Sequence, residues 1–146
     1  MLKGLVAREE IEINAEVSAV WDALINPELI KQYLFGTEAI SEWKIGSPIV
    51  FRGVWEGKTY EDKGLIFELK TNKIFGYYYW SPFSGLEDKL ENYANITYEL
   101  TKDGEQTILA ITQDSIETED MVEQASENWQ NVLKSLKETV EKKFGI

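Results

Sequence analysis

The sequence contains no cysteine and no histidine among its 146 residues. Their absence excludes a disulfide, a thiol nucleophile, a Ser-His-Asp triad and an ordinary zinc site. Any catalysis by this chain would have to use carboxylates, Lys, Arg, Tyr or Ser/Thr. The lack of cysteine also fits a reducing compartment, and we expect a cytoplasmic protein.

Basic residues and long apolar runs are also scarce. The chain has 15 Lys and Arg against 26 Asp and Glu, a net charge of −11. Such a surface repels a phosphate backbone, so we expect no nucleic-acid partner. No apolar run approaches the ~20 residues that span a bilayer, and the segment 1–8 lacks the apolar core of a signal peptide. We therefore expect no membrane span.

What is present indicates one globular domain. Hydrophobic residues make up 43% of the chain and aromatic residues 12%, which is typical of a packed core. No internal repeat and no Pro/Gly/Ser-rich linker divides the sequence. We therefore predict a single domain over residues 1–146.

Three helices are predicted from periodicity and capping signals. After a strand over 5–13, apolar residues at helical spacing indicate a helix over 16–25. Asn26-Pro27-Glu28 then starts a second short helix, since Asn suits the N-cap and Pro the first turn. An apolar stripe over 119–143, with Thr118 as N-cap, predicts one long C-terminal helix.

The segment 37–114 carries strand and turn signals throughout. A turn at Gly57-Lys58 would close a hairpin, and Asp103-Gly104 would close another with Tyr98 opposite Leu109. Helices separate from a run of antiparallel strands indicate an α+β fold. A sheet of six to seven strands would twist around the long helix and leave space between them.

Several segments resemble one known family. VWDAL at 20–24 with NPELI at 26–30, WKIGSPIVF at 43–51 and NWQNVLKSLK at 128–137 resemble START-like (SRPBCC) motifs, as do the strands at 63–66, 96–100 and 107–113. Together they resemble the family of the activator of the ninety-kilodalton heat-shock chaperone ATPase, over about 11–141. The family's usual Gly before the helix Trp is Asn128 in this chain.

The resemblance implies a helix-grip fold, in which a curved antiparallel sheet wraps around a long C-terminal helix after two short helices. Members of the superfamily include carriers of hydrophobic ligands, aromatase/cyclase enzymes and chaperone co-regulators. Because one fold serves several functions, the function has to be inferred from the site.

A cluster of aromatic residues in the strands has two interpretations, a filled core or a ligand pocket. If Trp80 points inward, strand alternation places Tyr78 and Gly76 inward as well. Arg52, Asp62 and Lys63 are interpreted as a surface charge cluster. The predicted ligand-binding residues are Trp43, Phe51, Tyr78, Trp80, Tyr98, Trp129 and Leu133.

Three functions remain open at this stage. The first is binding of a small apolar or amphipathic molecule between the sheet and the long helix. The second is a chaperone-associated interaction domain, whose acidic surface would steer it to a basic partner. The third, an enzyme of the cyclase/aromatase type, lacks an evident catalytic acid or base. We expect no metal site and no cofactor, since no calcium-loop motif is present.

Overall fold

The computed structural model describes residues 3–145 and has the predicted α+β architecture. A seven-stranded antiparallel sheet curves around a long C-terminal helix, and two short helices follow the first strand. In chain order the elements are β1 (Leu5–Ile13), α1 (Val17–Ile25), α2 (Pro27–Tyr33), β2 (Glu38–Ser41), β3 (Pro48–Trp55), β4 (Lys58–Lys70), β5 (Ile74–Trp80), β6 (Ala94–Asp103), β7 (Gln106–Ile116) and α3 (Glu119–Phe144). Two short 3-10 helices, Pro82–Ser84 and Leu90–Asn92, lie in the loop before β6.

The strands are ordered β1-β7-β6-β5-β4-β3-β2, so β1 at one edge closes on β7. Every other adjacent pair consists of strands that are consecutive in the chain. A break in the register of β4 between Ile66 and Glu68 marks a β-bulge. Bulges bend a strand and increase its twist, which suits the curvature of this sheet.

Both predicted hairpins form, but each predicted register is wrong by two residues. The β6–β7 loop is Gly104-Glu105 with Tyr98 opposite Ile111, and the β3–β4 loop is Glu56-Gly57. Gly104 takes the first loop position with φ +63°, whereas Gly57 takes the second with φ +78°. Both loop types need a positive φ that Gly supplies, so a Gly alone does not show which position it occupies.

The capping signals are confirmed. The side chain of Asn26 accepts a hydrogen bond from the Glu28 N–H, and that of Thr118 accepts one from the Met121 N–H. Acidic residues fill the first turn of α3 and lysines its last turn, which complements the helix dipole.

The two halves of α3 differ in what they cover. The fully packed residues Leu133, Leu136 and Val140 all lie in its C-terminal half. That half is tied to the end of β1, since the Lys137 ammonium donates to the Glu12 carbonyl at 2.7 Å. The N-terminal half lies over the middle of the sheet without filling the space beneath it, and this geometry leaves a cavity between them.

In the part of the chain that the structure describes, none of the helices combines the length and the hydropathy of a membrane span.

Candidate binding cavity

A cavity of about 370 Å³ lies between the concave face of the sheet and the N-terminal half of α3. Its volume falls within the range of small-molecule sites. Residues from α2 to α3 line it: Leu34, Thr37, Phe51, Tyr60, Asp62, Tyr77, Tyr79, Ile96, Tyr98, Gln113, Met121, Gln124, Ala125, Asn128, Trp129 and Val132.

Aromatic rings from four strands and α3 form most of the apolar wall. The ring centroids of Phe51 and Tyr77 are 5.4 Å apart, and those of Phe51 and Tyr79 are 6.0 Å apart. Tyr98 meets Trp129 edge to face at 6.3 Å. These separations are typical of favourable aromatic pairs, so the rings hold one another in place.

The cavity opens to solvent beside α3. Met121 is 50% exposed, and Gln124 and Asn128 of the same helix are exposed too. All three also line the cavity, so they form its mouth. Asn128, where relatives are expected to have Gly, therefore lies at the entrance.

Polar side chains line the cavity on both its sheet side and its helix side. The hydroxyl of Tyr79 donates a hydrogen bond to Asp62 Oδ2. The Thr37 and Tyr60 hydroxyls share a hydrogen bond of 2.6 Å. On the helix side, the Trp129 indole N–H donates to Gln113 Oε1 at 2.7 Å, which links α3 to β7. The cavity is therefore amphipathic, with an aromatic wall and several polar groups.

Burial keeps the cavity tyrosines protonated. It raises the pKa of Tyr77 and of Tyr98 well above the usual range, and neighbouring tyrosines raise that of Tyr77 further. Burial also raises the pKa of Tyr79, and the charge and hydrogen bond of Asp62 reinforce the shift. At neutral pH these hydroxyls are hydrogen-bonding groups and not bases.

Three of the predicted site residues line the cavity: Phe51, Tyr98 and Trp129. Trp43 and Leu133 lie outside its lining. Trp43 packs against Phe75 with ring centroids 6.1 Å apart, and Leu133 is a core residue with 2% exposure.

The predicted inward orientation of Tyr78, Trp80 and Gly76 is wrong. The three share one face of β5, but it is the outer face, where Tyr78 packs on Phe67 at 4.7 Å. A Cβ on Gly76 would lie 2.7 Å from the same Phe67 ring. Trp80 stacks on Tyr93 in the outer loop at 6.4 Å. The inward residues of this strand include Tyr77 and Tyr79.

The predicted surface cluster is also wrong for one member. Arg52 is exposed and hydrogen-bonds to Glu61 at 3.1 Å, but Asp62 is 8% exposed and lines the cavity. Strand alternation contains the signal for this placement. Asp62 lies opposite Phe51, and cross-strand partners point to the same face. An inward Phe51 therefore implies an inward Asp62.

Within residues 3–145, no group of three or more Asp and Glu side chains is placed to hold a metal ion.

Comparison with known proteins gives one family match. The model of the "Activator of Hsp90 ATPase homolog 1-like protein" family matches residues 14–141. A comparison with curated proteins gives no significant match.

Solved structures share the fold. The solution structure of ChR145 from Cytophaga hutchinsonii is 43% identical, covers 98% of this chain and 97% of its own, and superposes with a TM-score of 0.83. The Aha1 dimer from Colwellia psychrerythraea is 19% identical, with coverages of 94% and 96% and a TM-score of 0.73. CalU16 from Micromonospora echinospora is 15% identical, with coverages of 96% and 86% and a TM-score of 0.69.

Proposed function

We propose that this chain, which belongs to the family of activator of Hsp90 ATPase homolog 1-like proteins, binds a small apolar or amphipathic molecule in the cavity beneath α3. The observation that carries the proposal is the cavity itself, which has an aromatic wall, several polar groups and an open mouth. Sites for small molecules combine a mostly apolar lining with a few polar groups in this way.

The cavity volume limits the size of the ligand. At roughly 30 Å³ per water-sized unit, 370 Å³ corresponds to about a dozen non-hydrogen atoms. A single ring system or a medium-length alkyl chain fits this volume, and a phospholipid does not. Removal of the ligand's apolar surface from water would supply most of the affinity.

Calorimetric titration with 1-octanol tests the proposal directly. At about 0.5 kcal/mol per non-hydrogen atom, octanol should gain roughly 4–5 kcal/mol, which is a Kd of roughly 0.2–1 mM. Ala125→Trp places an indole in the cavity and should abolish binding, because Ala125 lies on its lining. Glu127→Trp adds the same ring at an exposed position of the same helix and should leave binding intact.

Folding has to be separated from occlusion in this test. Circular dichroism spectra and thermal midpoints of both tryptophan variants establish that each one folds. Octanol binding that survives in a folded Ala125→Trp variant, or that is missing in the unmodified protein, would refute the proposed cavity function.

A chaperone contact is a second candidate, favoured by an exposed aromatic pair. Trp55 and Phe83 are 58% and 61% exposed, and their rings meet edge to face at 6.1 Å. Exposed aromatic surface is typical of protein contacts, and the family's description names the Hsp90 ATPase. If this pair forms the contact, Trp55→Ser should weaken co-purification with Hsp90, whereas Ala125→Trp should not. Equal co-purification of the Trp55→Ser protein and the unmodified protein would exclude this surface.

A further inference from the structure

Asp62 lines the cavity with a carboxylate that is only partly hydrogen-bonded. Its side chain is 8% exposed, and its Oδ2 accepts the hydrogen bond from Tyr79. Among the residues that the structure describes, Oδ1 has no hydrogen-bond partner. Buried polar atoms are nearly always paired, so an unpaired carboxylate oxygen on a residue that lines a cavity indicates a missing partner.

The surrounding protein does not neutralise this carboxylate. Within residues 3–145, no lysine or arginine lines the cavity. Two basic residues next to Asp62 in the sheet are paired elsewhere: Arg52 with Glu61 at 3.1 Å, and Lys63 with Asp88. Asp62 therefore accepts its hydrogen bond from a neutral group, the Tyr79 hydroxyl. A neutral donor compensates only part of a buried negative charge.

This imbalance distinguishes among possible ligand head groups. A primary ammonium group brings a positive charge and three N–H donors, and charge-assisted hydrogen bonds are the strong ones. A hydroxyl group brings one donor and no charge. A carboxylate or phosphate group would be repelled by Asp62 and would meet no basic side chain in the lining.

We infer that the ligand of this cavity is an amphipathic primary amine, with its ammonium group paired with the Asp62 carboxylate and its apolar tail along the aromatic wall. The inference rests on the proposed function and names its ligand class. The cavity would then use Asp62 for head-group recognition and Phe51, Tyr98 and Trp129 for tail affinity.

Three probes with the same eight-carbon tail test the head group: n-octylamine, 1-octanol and octanoate. Calorimetric titrations near pH 7, where the amine is charged, should give a Kd for octylamine at least tenfold lower than that for octanol. Octanoate should bind more weakly than octanol. The net charge of −11 also attracts any cation weakly and non-specifically. The series is therefore repeated in about 0.5 M NaCl, because salt screens exposed charges more than a buried ion pair.

Two matched variants test whether the preference for the amine over the alcohol depends on Asp62. Asp62→Asn removes the charge but preserves the size of the side chain, and it should reduce the amine preference to less than threefold. Asp103→Asn makes the same change at the exposed end of β6 and should preserve the preference. Octanol binding by the Asp62→Asn protein shows that its cavity remains folded.

The outcomes separate the two proposals. Octanol binding without an amine preference would overturn the amine inference and leave the cavity function standing, as expected if Oδ1 holds only a water molecule. A preference that persists in Asp62→Asn, or tighter binding of octanoate than of octylamine, would also overturn the inference. Failure of all three probes to bind the unmodified protein would overturn both.

Discussion

Alkaline unfolding should be unusually steep, because the fold buries tyrosine hydroxyls that must stay protonated. Tyr33, Tyr77 and Tyr98 are 2%, 4% and 2% exposed, and burial raises the pKa of each well above 10. The pKa of Tyr79 is raised too, by burial and by Asp62. In the unfolded chain each of these hydroxyls ionises near its ordinary pKa of about 10.

The sign and size follow from the difference in bound protons. The stabilising effect of neutral burial is complete below pH 10 and is lost as the pH rises above it, since only the unfolded chain then releases protons. At pH 11 each tyrosine favours unfolding by about 1.4 kcal/mol, and four together by about 6 kcal/mol. A small domain has about 5–15 kcal/mol of stability in total, so the protein should unfold near pH 11.

Two optical signals followed together check this expectation. Tyrosinate absorbance and far-ultraviolet circular dichroism should show that the buried tyrosines ionise in the same pH range in which the fold is lost. The Tyr98→Phe variant should lose stability with pH less steeply, by about 1.4 kcal/mol per pH unit above pH 10. Ionisation of all tyrosines near pH 10 with unchanged circular dichroism would refute the reasoning.

Three further changes probe the polar groups of the fold. Tyr79→Phe leaves the Asp62 carboxylate without its hydroxyl donor and should lower the free energy of unfolding in urea by about 1–3 kcal/mol. Adding Asp62→Leu to this variant should recover most of that loss. Additive losses from the two substitutions would contradict this pairing. Asp114 is fully buried and accepts hydrogen bonds from two backbone N–H groups at 2.7 and 2.8 Å. Asp114→Ala should therefore lower the free energy of unfolding by about 3 kcal/mol, and a loss below about 1 kcal/mol in the same assay would contradict this expectation. Burial raises the pKa of Glu141, but hydrogen bonds from Lys137 and a backbone N–H outweigh it and hold the pKa below its usual value. Glu141→Gln should therefore lower the thermal midpoint at neutral pH, and the difference should shrink as the pH falls below about 4.5; a pH-independent difference would count against it.

The sequence predicted the helices and strands and their order better than it predicted the registers of the hairpins. Helix periodicity, the caps at Asn26 and Thr118, and the apolar strands are local signals, and each predicted an element that the structure contains. The register of a hairpin depends on which loop position its Gly takes. Gly57 and Gly104 take different positions, and composition does not distinguish them.

The wrong orientation of β5 has a specific physical origin. The bulge between Ile66 and Glu68 changes the alternation in β4, so the inward residues of β4 do not determine those of β5 by simple counting. The loop between β5 and β6 spans residues 81–93, and a loop of that length does not fix which face of β5 matches the inward face of β6, where Ile96 and Tyr98 lie. Tyr77 and Tyr79 could therefore not be separated from Tyr78 by pattern alone.

The cavity is held open by contacts that do not involve a ligand. Phe51, Tyr77 and Tyr98 contact one another across the sheet, with ring centroids 5.4 and 6.5 Å apart. The hydrogen bond from Trp129 to Gln113 joins α3 to β7 across the cavity wall. Because these side chains are already ordered, a ligand entering the cavity does not have to fix them, and ordering costs subtract little from its affinity. Affinity should then follow the apolar area that the tail buries, and selectivity should follow the carboxylate of Asp62, whose Oδ1 has no hydrogen-bond partner among residues 3–145.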